Sequence, residues 1–512
     1  MKKILLGIIV AILSAAIITS LVACNKPIKV MELKINSPDL MVGAKVVNES
    51  LTTKEKADAV NMLSTNDKCW TPANNSKFAN VEFKLNGEKT FNTAVITEVG
   101  DEVQYFRLQA YVDGEWKTLH TSEKMGEQRI ISFDSVKSSK LRLSIEKFKG
   151  KEKTAKIKNI KLYNLESDRK DNFNTTVYQR IDIVRPSEIL HSDKAETYAR
   201  YYDVYNTVIV FDAVTWDEKG KLIFKNDGVD GLTGEQYFKK EISAIKDLVS
   251  MCNNHHKVRI IVTALADGAG GSHEGVNTLM HANHTKIATE MVNTFIKSEE
   301  DGGYDLDGLD IDWEYPQNKK DWACYDTFMK ELDEKMSAVK PDAIISAALS
   351  AWALGMSKDT MKRIDQIQYM AYDDFDSDGD QSTIYNAQLG VARFVENGAT
   401  LNKINIGIPS YGRPVGGGPF WPNWYLVENA NYFDSRYNGI KCDDGSYREC
   451  SFCSPALAGD KTALALFSGC GGVMVFRLNC DKLMDDPNAV ACGIENTMKR
   501  YISGWGNNAL VK

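Results

Sequence analysis

Between residues 31 and 165 apolar and polar residues alternate in short runs punctuated by Gly, Asn and Asp. Val81–Leu85, Tyr105–Val112, Ile130–Phe133, Leu141–Ile145 and Ile157–Tyr163 follow a period of two, which predicts strands with one covered and one wet face. An Asp-Gly pair in Val112-Asp113-Gly114-Glu115-Trp116 predicts a tight hairpin. Together these runs predict an antiparallel β-sandwich over 30–165. Residues 166–175 are polar without periodicity, so a linker is expected there. Beyond it, strand-like runs occur at Tyr178–Val184, Thr207–Ala213, Val258–Leu265, Leu306–Glu314, Ile344–Ser350, Gln366–Asp373, Ile404–Ser410 and Gly472–Phe476. Helical periodicity separates several of them, at Glu235–Ser250, Lys286–Lys297, Asp321–Val339 and Asn386–Asn397. Eight strands with helical crossovers predict a parallel sheet occupying 176–512.

The N-terminus changes the picture of location. Lys2 and Lys3 precede an apolar run from Ile4 to Val22, and Leu21-Val22-Ala23-Cys24 then gives way to Asn25-Lys26. The tetrapeptide resembles a bacterial lipobox. That resemblance implies a signal peptide over 1–24, lipidation of Cys24, and a protein anchored to the cell membrane or outer membrane, facing outside the cytoplasm. An uncleaved signal anchor is the competing reading, since the run is nearly long enough to span a bilayer.

With 512 residues the chain suits two domains, and 43% hydrophobic with 26% charged residues is an ordinary globular mixture. A net charge of -7 argues against nucleic acid as a partner. The lysines at 137, 140, 147, 149, 151, 153, 156 and 158 read as the wet face of antiparallel strands. Ten cysteines less Cys24 leave nine, an odd number, so export permits disulfides with at least one thiol left over. Cys450-x-x-Cys453 has no second pair to complete a zinc site, and a local disulfide or buried thiols are both compatible with it.

The chemistry concentrates in Asp307-Gly308-Leu309-Asp310-Ile311-Asp312-Trp313-Glu314-Tyr315-Pro316. On a strand, Asp310, Asp312 and Glu314 share one face and Leu309, Ile311 and Trp313 the other. Three crowded carboxylates cannot all ionise near neutrality, so one proton is retained, and Glu314 is its expected holder. A carboxylic acid kept protonated in this way is a general acid. The run resembles the D-x-x-D-x-D-x-E signature of glycoside hydrolase family 18, the chitinases and endo-β-N-acetylglucosaminidases.

The resemblance implies a (β/α)8 barrel with this run at the end of its fourth strand. It implies that Glu314 protonates the glycosidic oxygen, that Asp312 orients the substrate's 2-acetamido group as nucleophile, and that Asp310 supports Asp312. Asp307 has the opposite parity and reads as a structural anchor. Met370-Ala371-Tyr372-Asp373 resembles the family's M-x-Y-D motif, implying that Tyr372 steadies the acetamido group and that Met370 and Asp373 line the sugar site. Tyr411 and Arg413, in Ile408–Arg413, are expected sugar contacts, and Phe476 stands where chitinases keep a Trp under the sugar. Trp216, Trp352, Trp421 and Trp424 could each stack on sugars or simply pack.

Two further departures loosen the match to chitinases: the third loop, Asp267–Gly271, lacks the usual S-x-G-G, and the segment from Arg413 to Asp460 is short for an extra cleft domain. In the N-terminal part, the loop Asn66–Trp70, the strand and turn from Val103 to Trp116, and the closing strand Ile157–Tyr163 resemble a discoidin, or coagulation factor 5/8 type C, domain. That implies glycan binding, although Trp70 suits a core equally well. The expected protein is an anchored, monomeric retaining glycosidase acting on N-acetylglucosamine glycans, either chitin and chitooligosaccharides or N-glycan cores. No cofactor or catalytic metal is implied. A silent chitinase-like lectin or a glycan-binding adhesin is the alternative.

Overall fold

The structure, a computed structural model, describes residues 31–47, 51, 53–72, 78–149, 155–169, 172–252, 257–266, 273–426, 432–433, 435–441, 445 and 447–505. The signal segment with Cys24 and the third loop, Asp267–Gly271, lie outside the described residues.

The N-terminal part is a six-stranded antiparallel sheet formed by β1 (Lys45–Val46), β2 (Ala79–Glu98), β3 (Val103–Val112), β4 (Glu115–Ser122), β5 (Arg129–Phe148) and β6 (Ile157–Tyr163). Its pattern follows the sequence: Val81 and Phe83 are buried and Lys84 is exposed. The β3–β4 turn takes left-handed φ at both Asp113 (54°) and Gly114 (88°), the geometry that favours Asp-Gly in hairpins. β2 and β5 each run 20 residues and shift register where they bend. With β3 and β6 they enclose a core that includes Trp70, which is 1% exposed, so its ring packs internally.

β7 (Asn174–Arg180) and β8 (Thr207–Phe211) begin a closed parallel barrel. A short hairpin, β9 (Val214–Trp216) and β10 (Leu222–Phe224), follows β8. The barrel continues with β11 (Arg259–Leu265), β12 (Gly308–Ile311), β13 (Ile344–Leu349), β14 (Gln366–Tyr369) and β15 (Ile404–Pro409). After β15 comes a small four-stranded antiparallel sheet of β16 (Tyr411–Pro414), β17 (Trp421–Pro422), β18 (Arg436–Lys441) and β19 (Tyr447–Ser451), and β20 (Gly472–Phe476) then closes the barrel against β7.

Two expectations need correction. The first barrel strand lies four residues before the predicted run, because Thr175, Thr176 and Gln179 are polar yet fully buried and hide the strand from an apolar pattern. The expected linker 166–175 overlaps the barrel: Asn174 opens β7, Phe173 is 2% exposed and Ser167 bridges Ile502, while Glu166, Asp168 and Asn172 are exposed. Val95, Ile130, Tyr163 and Leu165 of the N-terminal part join the barrel's core. Polar contacts tie the same seam. Asp460, on the helix Pro455–Ser468, accepts from Arg129 at 2.6 Å and from the Ser132 N–H at 2.8 Å, and lies 3.0 Å from His120. Burial raises the proton affinity of Asp460, but the Arg129 charge, with the hydrogen bonds the carboxylate accepts, outweighs it and holds its carboxyl below the usual range.

Cys69, Cys324, Cys453, Cys470, Cys480 and Cys492 are free thiols, and Cys450 and Cys453 are both fully buried with no disulfide between them. Among the described residues no helix is long and apolar enough to cross a membrane.

Candidate active site

The acid run leaves the ladder earlier than a regular strand would, since β12 ends at Ile311. Alternation still sorts the faces. Trp313 is 2% exposed, packs on Tyr325 and donates through Nε1 to Asn277 Oδ1 at 2.8 Å, on the side away from the acids. Asp310 is fully buried at the centre of the barrel. Thr263 of β11 and Ser346 of β13 are its register partners, so three inward side chains fall in one layer. Ser346 Oγ donates to Asp310 Oδ1 at 2.7 Å, while Thr263 Oγ1 (2.9 Å) and Tyr178 Oη (3.0 Å) donate to Oδ2.

Burial lifts the Asp310 carboxyl to about 6, although these three hydrogen bonds pull it back toward ionisation. Desolvation thus gives the row one carboxyl of raised proton affinity at its buried end, Asp310. Asp312 is 8% exposed and its N–H continues the ladder to Leu265 O at 2.7 Å. Glu314 is half-buried and lines the cavity at the barrel mouth. Asp307 sits at the other end of β12, where it accepts the Ile260 N–H at 2.9 Å and pairs with Lys257 at 3.2 Å. Those contacts are what an anchor makes.

A cavity of about 2230 Å³ runs from the acids to the seam with the N-terminal sheet. Phe476 stacks on Tyr372 with ring centroids 5.8 Å apart and planes at 22°, and meets Tyr178 edge-on at 5.6 Å. Burial pushes the Tyr372 phenol well above 10, and the negative charges of Asp312 and Glu314 add to the effect, so Tyr372 keeps its O–H as a donor. Asp373 is gripped by Arg413, Nε to Oδ1 at 2.7 Å and Nη2 to Oδ2 at 2.8 Å, and accepts from Tyr411 Oη at 3.0 Å. Met370, half-buried, completes the wall beside them. The structure therefore gathers Asp312, Glu314, Met370, Tyr372, Asp373, Tyr411, Arg413 and Phe476 around one cavity, with Asp310 directly beneath.

The four tryptophans separate. Trp352, 50% exposed, lines the cavity with its ring 4.5 Å from that of Tyr315. Trp216 is 1% exposed and donates to Ala264 O at 2.7 Å, so it packs. Trp421 and Trp424 stand outside the cavity lining. Sequence reasoning missed Tyr178, Thr263 and Ser346, which hold Asp310, and Tyr315, whose hydroxyl meets Ser350 Oγ at 2.9 Å. Hydroxyl residues at inward positions of otherwise apolar barrel strands were the available signal. Among the described residues no group of three His, Cys, Asp or Glu side chains is arranged to hold a metal ion.

A parallel eight-stranded barrel with an acid row at one strand's end, opening under aromatic side chains, defines the class of barrel glycosidases. Residues 190–481 match the family described as glycosyl hydrolases family 18, and the chain belongs to that family. It is 27% identical over 154 residues to a probable endochitinase of Caenorhabditis elegans, covering 25% of this chain and 24% of that one. Against chitinase 1 of Aphanocladium album it is 27% identical over 229 residues, covering 35% of this chain and 53% of that protein. The chain thus spans only about a quarter and about half of these two relatives. Among solved structures, catalytic domain 2 of the Group II chitinase of Ostrinia furnacalis superposes with a TM-score of 0.48 at 17% identity, covering 64% of this chain and 97% of that one.

Proposed function

We propose that this chain is a retaining glycosidase that hydrolyses β-1,4 links after N-acetylglucosamine, in chitooligosaccharides or N-glycan cores, by substrate-assisted catalysis. The observation that carries the reading is the row of Asp310, buried with three hydroxyl donors, then Asp312, then Glu314, the last two lining one cavity with Tyr372. In the first step Glu314 gives its proton to the glycosidic oxygen as the bond from C1 breaks. The acetamido carbonyl oxygen attacks C1 from the other face, and Asp312 accepts the amide N–H, so an oxazolinium forms. Its positive charge lies among the acids, while the Tyr372 hydroxyl donates to the acetamido oxygen. Glu314, now ionised, takes a proton from water as that water attacks C1; the C1–O bond of the oxazolinium breaks, its electron pair returns to the acetamido group, and the configuration and the acid are restored. Asp310 sets the charge beneath Asp312; Met370, Asp373, Tyr411, Arg413 and Phe476 hold the sugar, and Trp352 with Tyr315 offers a further stacking platform.

The same reading divides the chain into a lipoprotein signal over 1–24, a discoidin-like sandwich over 30–165 and the barrel beyond it. It anchors a monomer through lipidated Cys24 to the cell envelope, outside the cytoplasm. The lipobox-like Leu21–Cys24 and the antiparallel N-terminal sheet support these parts.

The test is incubation of a soluble form beginning after Asn25, beside its Glu314→Gln variant, with chitooligosaccharides and with a high-mannose glycoprotein. Products are followed by mass spectrometry. Cleavage that is lost in the variant supports the enzyme and selects the substrate class. Binding without cleavage by the native form would replace this reading with a lectin.

A further inference from the structure

Residues 373–380, Asp-Asp-Phe-Asp-Ser-Asp-Gly-Asp, follow the end of β14 and form a closed loop with two faces. On the cleft side stand Asp373, held by Arg413 and Tyr411, and Phe375, which bridges back to Gln381. Gly416 N–H donates to Gly379 O at 2.9 Å and ties the loop to the rim of the cleft. Toward the N-terminal sheet three carboxylates converge on one ammonium. Lys124 Nζ lies 2.8 Å from Asp378 and 3.0 Å from Asp380, and also bonds Asp376.

Lys124 belongs to the turn between β4 and β5, in the N-terminal sheet and 252 residues away in sequence. Lys149, at the end of β5, adds a contact to Asp378 at 2.9 Å and shares Asp101 at 2.8 Å. Gln104 donates to Asp378 at 3.2 Å, and Arg436 pairs with Asp380 as well as with Glu123 and Glu449. Within the loop, Asp376 Oδ1 accepts the N–H groups of Asp378 (2.9 Å) and Asp380 (3.1 Å), which closes it.

The spacing D-x-D-x-D-G over Asp374–Gly379 is one in which carboxylates collect around calcium in helix-loop-helix calcium sites. Here the central cation is a side chain of the protein itself. Three carboxylates gathered this closely repel one another strongly at partial burial, so the arrangement holds only while a positive charge sits among them. Burial alone would lower the Lys124 ammonium, yet its hydrogen bonds to Asp376 and Asp378 outweigh burial and raise it. Burial likewise works against Asp378, but the hydrogen bonds from Lys124 and Lys149 bring it down to about 2.

We propose that Lys124, assisted by Lys149, is a positioning residue: the N-terminal sheet supplies the cation that orders the 373–380 loop and thereby fixes Asp373 and Phe375 in the wall of the cleft. The N-terminal part then acts as a component of the substrate site in addition to any glycan binding of its own. What the cleft binds rests on the function proposed above; the ordering of the loop does not.

The experiment uses the chain after Asn25 as wild type, Lys124→Met, Lys124→Arg, Asp378→Asn and the double variant Lys124→Met/Asp378→Asn. It reads amide hydrogen exchange over 373–381 and hydrolysis of chitooligosaccharides. Lys124→Met should lose protection over 373–381 and raise KM roughly fivefold to tenfold with kcat changed by less than about twofold. Lys124→Arg should restore both, and the double variant should recover much of the protection because one repelling charge is gone. Asp378→Asn alone, which leaves Lys124 with two carboxylates, should stay close to wild type even if Lys124→Met does not fold.

Unchanged exchange in Lys124→Met, lost protection in Asp378→Asn, or lost protection of the wild type on adding EDTA would each overturn the proposal; the last would show that a divalent cation holds the loop. A wild type that cleaves nothing would sink the proposed function and leave the exchange measurements to decide this inference.

Discussion

Two sets of acids with the same alternating spacing end up doing opposite things in this molecule. Asp310, Asp312 and Glu314 rise from the barrel centre, and Asp376, Asp378 and Asp380 hang from the loop after β14. In the first set the buried acid meets hydroxyls: Asp310 is surrounded by Tyr178, Thr263 and Ser346, and burial lifts it to about 6. The second set meets Lys124, Lys149 and Arg436, and Asp378 is held at about 2. Spacing brings carboxylates together, and the neighbours decide whether they store a proton or bind a charge. Chemistry follows from the first arrangement and architecture from the second.

The sharpest way to break this contrast is to neutralise one acid of each set. Glu314→Gln should lower kcat on chitooligosaccharides about a thousandfold or more while circular dichroism stays unchanged. Asp378→Asn should leave kcat within about twofold. A comparable loss of kcat in both variants would erase the distinction.

Tyr372→Phe removes a hydroxyl from the cavity that Asp312 and Glu314 also line, and steady-state kinetics should show a kcat loss of roughly tenfold to a hundredfold with little change in KM. Trp352→Ala removes stacking area without touching the acids. Its KM should rise about threefold to tenfold at nearly constant kcat.

The smallest effect sharpens the contrast through pH. Asp310 has a folded value raised to about 6, so its contribution to stability is complete below its unfolded value near 3.8 and is lost as pH rises through about 6. Asp374 and Asp481, both lifted by burial to about 7, act in the same direction. Asp378 acts oppositely, contributing above pH 4 and losing its contribution as pH falls toward about 2. Thermal denaturation should therefore show Tm falling by a few degrees, on the order of 2–4 °C, between about pH 5 and 8. Asp310→Asn should reduce that slope, and Asp378→Asn should instead flatten the decline below pH 4.

Much of this was legible in the chain. The eight barrel strands, the Asp113-Gly114 hairpin and the gathering of Asp312, Glu314, Tyr372, Asp373 and Arg413 follow from periodicity and from motifs placed at strand ends. Boundaries were less legible where polar residues are buried: Thr175, Thr176 and Gln179 disguise the start of β7, so that the barrel begins inside the polar stretch. The row's electrostatics needed three dimensions, because the hydroxyls on Asp310 come from β7, β11 and β13, which are far apart in sequence. The partner of the acidic loop was invisible for the same reason: nothing local to Asp376–Asp380 points to Lys124.

The most direct test of the central claim, that the acid row performs hydrolysis through the substrate's own acetamido group, is proton NMR of chitopentaose during the first minutes of cleavage. The account predicts that the β-anomer of the new reducing end appears first and mutarotates afterwards, with no signal from Glu314→Gln. Initial release of the α-anomer, or undiminished cleavage by Glu314→Gln, would contradict it.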